Sequence, residues 1–317
     1  MSEPEKPASN NWERQVLEKL ALSAIQEQRR ARHWSILFRT LGFLYLFVVL
    51  FLAAGWFRSD GVAIPKAHTA LVELQGVIAS DKASADSVIE SLQNAFKDKK
   101  TKGVILRINS PGGSPVQAGQ IYDEIRRLRA LHPQTPLHVV VDDICASGGY
   151  YVAAGADKIF VDKASILGSI GVRMDGFGFT QTMEKLGVER RLLTAGENKG
   201  FLDPFSPVDP AQQAYAKQML EEIHNQFIGV VREGRGSRLK EIPEMFSGLV
   251  WSGEKSIQLG LADGFGTVES VARDVIKAED VVDYTQQESL AERLAGRFGA
   301  AMARTWMPFG QPGAALR

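Results

Sequence analysis

The sequence has almost no cysteine. Cys145 stands alone among 317 residues, so an intrachain disulfide is excluded and disulfide usage says nothing about redox compartment. Net charge is missing too: 37 basic and 37 acidic side chains balance, which gives no support to nucleic-acid binding. Histidine is scarce, with five in the chain and none between positions 148 and 223. No exact internal repeat is visible.

What the chain does have, early on, is one long apolar run. Residues 36–57 are interrupted only by Arg39 and at 1.5 Å per residue cover roughly 33 Å, enough for a bilayer core. A buried core helix is the bland alternative. About 35 residues precede the run and no clear small-x-small site follows it, which argues against a cleaved signal peptide. Arg29, Arg30, Arg32 and Arg39 crowd its N-terminal flank, whereas only Arg58 and Lys66 lie close on the other side. That asymmetry predicts residues 1–35 in the cytoplasm, a single-pass anchor at 36–57, and everything after about Arg58 outside the cytoplasmic membrane. Within the cytoplasmic segment, residues 1–11 read as disordered. Trp12, Val16 and Leu20 then space out a short amphipathic helix suited to a membrane surface.

A linker at 58–67, with Gly61 and Pro65, leads to a globular domain expected over 68–285. Strands are predicted at 68–78, 103–108, 137–141, 158–161 and 190–194. Helices are predicted at 83–96, 116–131 and 180–186, and from 209 to about 232, where Asp209 and Pro210 form a natural N-cap and first position. Short helices over 251–277 complete the domain. Strand and helix alternate at about 35-residue intervals, the pattern of an α/β domain with a largely parallel sheet. The tail at 286–317 places Leu290, Leu294, Phe298, Met302 and Trp306 four residues apart with Arg293, Arg297 and Arg304 on other faces. Such a helix can lie on a membrane or pack against protein.

The chemistry concentrates around residues 139–154. A β-branched run gives way to Asp142 and Asp143, then to Cys145-Ala146-Ser147-Gly148-Gly149 and a small-residue helix. Ser147 is thereby placed at a strand-to-helix turn beside unpaired helix N–H groups, a good position for a nucleophile. Cys145 reads as a small buried residue of that turn. A serine needs a base. None of His33, His68, His132, His138 and His224 lies in a glycine-rich turn. A lysine can serve if its pKa falls from about 10.4 toward 7, which takes roughly 4–5 kcal/mol of destabilisation of the ammonium. Lys199, in a Gly-flanked turn before Phe201-Leu202 and Phe205, is the best placed, although most lysines are merely solvated. Backbone donors for a tetrahedral oxyanion are available at Gly112 or Gly113, after a predicted strand end, and at Gly148.

Taken together, Leu106-Arg107-Ile108-Asn109-Ser110-Pro111-Gly112-Gly113, Ala146-Ser147-Gly148-Gly149-Tyr150-Tyr151, Ala156-Asp157-Lys158-Ile159, Gly168-Ser169-Ile170-Gly171-Val172 and Gly260-Leu261-Ala262-Asp263 resemble the signal peptide peptidase A (SppA) family in its short, single-domain form. The resemblance covers about residues 68–278. It implies a Clp-protease/crotonase-like fold and a Ser/Lys dyad of Ser147 and Lys199, with Ser169 orienting the lysine. It also implies no metal or organic cofactor, peptide substrates including signal-peptide remnants, and a homo-oligomer whose sites can be completed by a neighbouring subunit. Clp proteases share the Asn-Ser-Pro-Gly-Gly turn but use a histidine soon after their serine, so the gap in histidine at 148–223 fits a lysine base. The residues around Lys199 match the family only loosely. The expected function is therefore a membrane-anchored serine endopeptidase, its catalytic domain extracytoplasmic. The rivals are a catalytically silent peptide-binding or membrane scaffold, and a crotonase-type acyl-CoA enzyme, which an extracytoplasmic location opposes.

Overall fold

The computed structural model describes residues 10–53, 67–80 and 83–286; the readings for residues 1–9, for most of the linker and for the tail helix lie outside them. The chain divides into two compact units, one of which spans Ile64–Gln287. In the other, helix α1 runs unbroken over Asn10–Ala53. The expected amphipathic helix and apolar span are thus one element. Its segment Glu27–Phe51, with mean hydropathy 1.9, is long and apolar enough to cross a membrane.

In the second unit the order is β1 (His68–Gln75), α2 (Ala85–Lys97), β2 (Thr101–Ser110), α3 (Pro115–Leu131), β3 (Leu137–Ala146), α4 (Gly148–Ala153), β4 (Lys158–Val161) and β5 (Ile166–Gly168). Then come α5 (Thr180–Lys185), α6 (Pro210–Arg235), β6 (Val250–Ser252), α7 (Gly253–Gln258), β7 (Gly264–Phe265), α8 (Val268–Ser270), a wider helical turn at Val271–Ile276, and β8 (Val281–Asp283). The sheet runs β6-β5-β3-β2-β1-β8, with β4 beside β3 and β7 beside β4. Its pairs are parallel except β5–β6. Helix starts follow local chemistry. Ser84 and Ser114 cap α2 and α3 with their hydroxyls, and Asp209 caps α6 ahead of Pro210, each such cap being worth about 1 kcal/mol.

The central strands are apolar on both sides because both faces are covered. On one face Val72, Leu74, Leu106, Ile108, Val139 and Val141 pack with Leu92, Ile121, Ile125, Val152 and Val231. On the other, Ile105, Val140 and Phe160 meet Val268, Val271 and Ala272. Burying one such large side chain stabilises the fold by roughly 1.5–3 kcal/mol.

Three local readings need correction. The third strand does not stop at Val141. Its pairing with β2 shifts after Ile108↔Val141, so that Ser110 opposes Cys145, and the strand exchanges β4 for β5 as its outer neighbour. Asp142 and Asp143 sit in this irregular stretch, where Arg107 and Asn109 of β2 donate to their carboxylates, so two charges are accommodated inside a strand. Residues 190–194 form no strand; Arg190 and Arg191 pair locally with Asp203 and Glu189, and Leu193 is 96% exposed. Finally, β6, β7 and β8 are strands of two or three residues, too short for alternation to reveal.

Candidate active site

Ser147 stands between β3 and α4 with φ 50° and ψ −122°, a conformation that costs a non-glycine residue about 1–3 kcal/mol. The surrounding backbone enforces it. The Ser147 N–H donates to the Gly168 carbonyl at 2.8 Å, and the Tyr151 N–H donates back to the Ser147 carbonyl at 3.0 Å. The Pro-Gly-Gly turn after β2 presses against the same point. A Cβ on Gly112 (φ 101°) would lie 2.7 Å from the Gly148 nitrogen and 2.8 Å from the Ser147 Cβ. One on Gly113 (φ 153°) would lie 2.2 Å from the Ile78 carbonyl oxygen. Only glycine fits where the two turns nest.

This nesting leaves a particular set of amides free. The Gly112 N–H donates to Ser110 Oγ at 3.1 Å, while the Ile78 N–H donates to the Gly112 carbonyl and the Ser114 N–H to the Ile78 carbonyl, each at 2.9 Å. Among the described residues, the amides of Gly113 and Gly148 have no hydrogen-bond acceptor. They are neighbours: a Cβ on Gly148 would lie 3.2 Å from the Gly113 nitrogen. Two adjacent unpaired N–H groups at a helix start are what a developing oxyanion requires.

Ser147, Gly112, Gly113, Gly148 and Ser169 all line one cavity of about 760 Å³, with Tyr151, Ile223 and Phe227 among its apolar walls. Ser169 also has positive φ, 51°. Its turn is held by its own N–H donating to the Leu249 carbonyl at 2.7 Å and by His224 Nε2, 3.2 Å from the Ile170 carbonyl. His224 was weighed as a base and set aside, and Ser110 and the walls contributed by α6 were not singled out by sequence reasoning. The α6 residues lie far along the chain, and only the local Asn-Ser-Pro-Gly-Gly string pointed toward Ser110. Cys145 is fully buried, and burial pushes its thiol well above the ordinary range, so it is no competing thiolate. No group of three or more His, Cys, Asp or Glu side chains among the described residues could hold a metal ion.

Lys199 is not among the residues lining the cavity. It is exposed, in a turn where its N–H donates to the Gly196 carbonyl. It belongs to a long excursion over 172–208 that buries none of its residues. Phe177, 81% exposed, and Leu193 show how little of its apolar surface this chain covers by itself.

Comparison with known proteins gives this geometry a family. The Clp protease family model matches residues 68–167 and the Peptidase family S49 model matches 129–282. A protein named as a protease from Methanocaldococcus jannaschii is 32% identical over 219 residues, covering 68% of this chain and 70% of that one. The chain belongs to peptidase family S49. Its fold is the Clp-protease-like α/β fold, and a protein named signal peptide peptidase SppA from Enterococcus faecium is 29% identical over 197 residues, 62% of this chain and 57% of that one. A relative from Brucella melitensis named Na(+)/H(+) antiporter NhaA is 43% identical over 219 residues, 68% of this chain. The match spans only 30% of that protein's length.

Proposed function

We propose that the chain is a serine endopeptidase of the SppA type, anchored in the cytoplasmic membrane by α1 with its N-terminus in the cytoplasm. Its S49 domain would lie on the extracytoplasmic side, cutting apolar peptides such as signal-peptide remnants. The observation that carries this reading is Ser147, held in a strained turn at the wall of a cavity partly walled by Tyr151, Ile223 and Phe227, beside the unpaired amides of Gly113 and Gly148.

In the proposed reaction Lys199 Nζ takes the proton from Ser147 Oγ as the oxygen bonds to the scissile carbonyl carbon. The carbonyl oxygen becomes an oxyanion held by the Gly113 and Gly148 N–H groups, a term worth about 3–4 kcal/mol per donor. Collapse breaks the C–N bond, and Lys199 returns the proton to the leaving amine. A water deprotonated by Lys199 then hydrolyses the acyl-serine. Gly112, whose amide is already held by Ser110, contributes the close approach of the two turns. Ser169 would hydrogen-bond the lysine at the cavity wall.

Because Lys199 lies outside the cavity of its own chain while the 172–208 excursion presents uncovered apolar surface, we assign Lys199 to the site of a neighbouring copy. The functional unit is then a homo-oligomer. The missing base in a single chain equally suits a silent peptide-binding scaffold, so activity must decide. Cleavage of a synthetic apolar signal peptide by the detergent-solubilised chain is expected to fall at least about 10³-fold in Ser147→Ala and in Lys199→Ala. Undiminished cleavage by either variant would refute the dyad, and an inactive wild type would favour the scaffold.

A further inference from the structure

We infer that the edge of the S49 domain carrying Lys97, Lys99, Lys100 and Lys102 lies against an anionic bilayer surface. These four lysines fall within six residues, from the end of α2 to the start of β2. All four are exposed, and none has an ion-pair partner among the described residues. The one acid within the run, Asp98, offsets one of these charges; its carboxylate accepts from the Tyr284 hydroxyl at 2.7 Å and from the Lys100 backbone N–H at 2.8 Å, and the run keeps a positive excess.

The place of the patch matters as much as its charge. His68, the first residue of β1, is in register with Thr101, and its N–H donates to the Lys100 carbonyl at 3.1 Å. The chain coming from the apolar span therefore enters the domain at the lysine run itself. The ten linker residues at 58–67 can reach at most about 36 Å, which keeps this edge at high local concentration near any bilayer that holds α1. Beside the run is a hollow of about 640 Å³ lined in part by Phe96, Leu128, His132 and the exposed Leu131. A lipid surface offers phosphates to the lysines and acyl chains to that apolar floor. The opposing charges on this edge are Glu279 and Asp280, which precede β8 on the far side of β1, with Lys277 beside them. Arg127 and Arg129 are already paired, with Glu124 and Asp157. Lysine clusters next to a membrane segment attract anionic headgroups over about a Debye length.

The inference rests on the anchor reading above, and one experiment separates the two. The full chain is reconstituted into nanodiscs of phosphatidylcholine, with or without phosphatidylglycerol, and lysine acetylation rates are read by mass spectrometry. Lys97, Lys99, Lys100 and Lys102 are expected to react at least threefold more slowly in the anionic discs and to recover at high salt. Lys163 in the β4–β5 loop and Lys255 in α7, away from this edge, should react equally in both. Equal rates for the four lysines in chain that co-elutes with both discs would overturn the inference and leave the anchor standing. Chain that co-elutes with neither disc would overturn both. A quadruple lysine-to-glutamine variant should still co-elute with the discs through α1 while the remaining lysines of the S49 domain, Lys277 included, lose any lipid dependence; lipid dependence that survives in Lys277 would assign the contact to another surface.

Discussion

Ser147 is held in a backbone conformation that suits glycine better than serine, and the strain is retained where the chemistry is proposed. Removing the hydroxyl and removing the strain can be separated. Ser147→Ala keeps the φ of 50° with its cost, whereas Ser147→Gly relieves it. We expect Ser147→Gly to be more stable than Ser147→Ala by about 1 kcal/mol, a rise of a few degrees in Tm, with both inactive. A glycine variant less stable than the alanine variant would mean that the turn is not strained. At this scale the turns that carry Ser147, Gly113 and Gly148 were legible in the sequence, because strand-turn-helix patterning and glycine doublets are local. It could not tell whether Gly112 or Gly113 offers the free amide. That depends on the Ser110 hydroxyl folding back onto the turn, a rotamer outcome rather than a pattern.

Among the elements, α6 is tied to the sheet by a buried ion pair. Arg235, 1% exposed, donates from Nη1 to Asp263 Oδ2 at 2.9 Å and from Nε to the Gly260 carbonyl at 2.8 Å, while Asp263 Oδ2 also accepts from the Ile159 N–H of β4. Burial by itself would raise the Asp263 carboxyl, but the Arg235 hydrogen bond and charge, with Ile159 and Arg238, hold it below the ordinary carboxylate value. A depressed carboxylate contributes stability above its unfolded pKa of about 3.9 and loses it as pH falls through the folded value. Arg235→Met should therefore cost about 3 kcal/mol near pH 7 and progressively less as pH falls below about 4, as the wild type loses the same contribution. Urea unfolding at the two pH values checks this; a penalty independent of pH would show that α6 is held by packing alone. The start of α6 was legible because Asp209-Pro210 announces itself, whereas the Ser114-Pro115 start of α3 was read one residue late. The continuation of β3 through two aspartates was not, since it depends on β2 supplying Arg107 and Asn109 across the sheet. The strand expected at 190–194 gives way to local ion pairs of Arg190 and Arg191.

For the whole molecule, the decisive feature is that one chain holds Ser147, the proposed nucleophile, and the free amides in a cavity while its Lys199 sits on an excursion with uncovered apolar surface. Heterologous contacts that repeat around a closed ring would supply each site with a lysine from the next copy. Motif order pointed to the family, but no motif encodes the proposed sharing of Lys199 between copies. The most direct test is complementation. Ser147→Ala and Lys199→Ala chains are each expected to be inactive when expressed alone. Co-expressed in equal amounts, they should recover about a quarter of wild-type peptide cleavage, because a quarter of randomly assembled interfaces pair an intact serine with an intact lysine. Co-expressed variants that stay as inactive as each alone would contradict a site shared between copies.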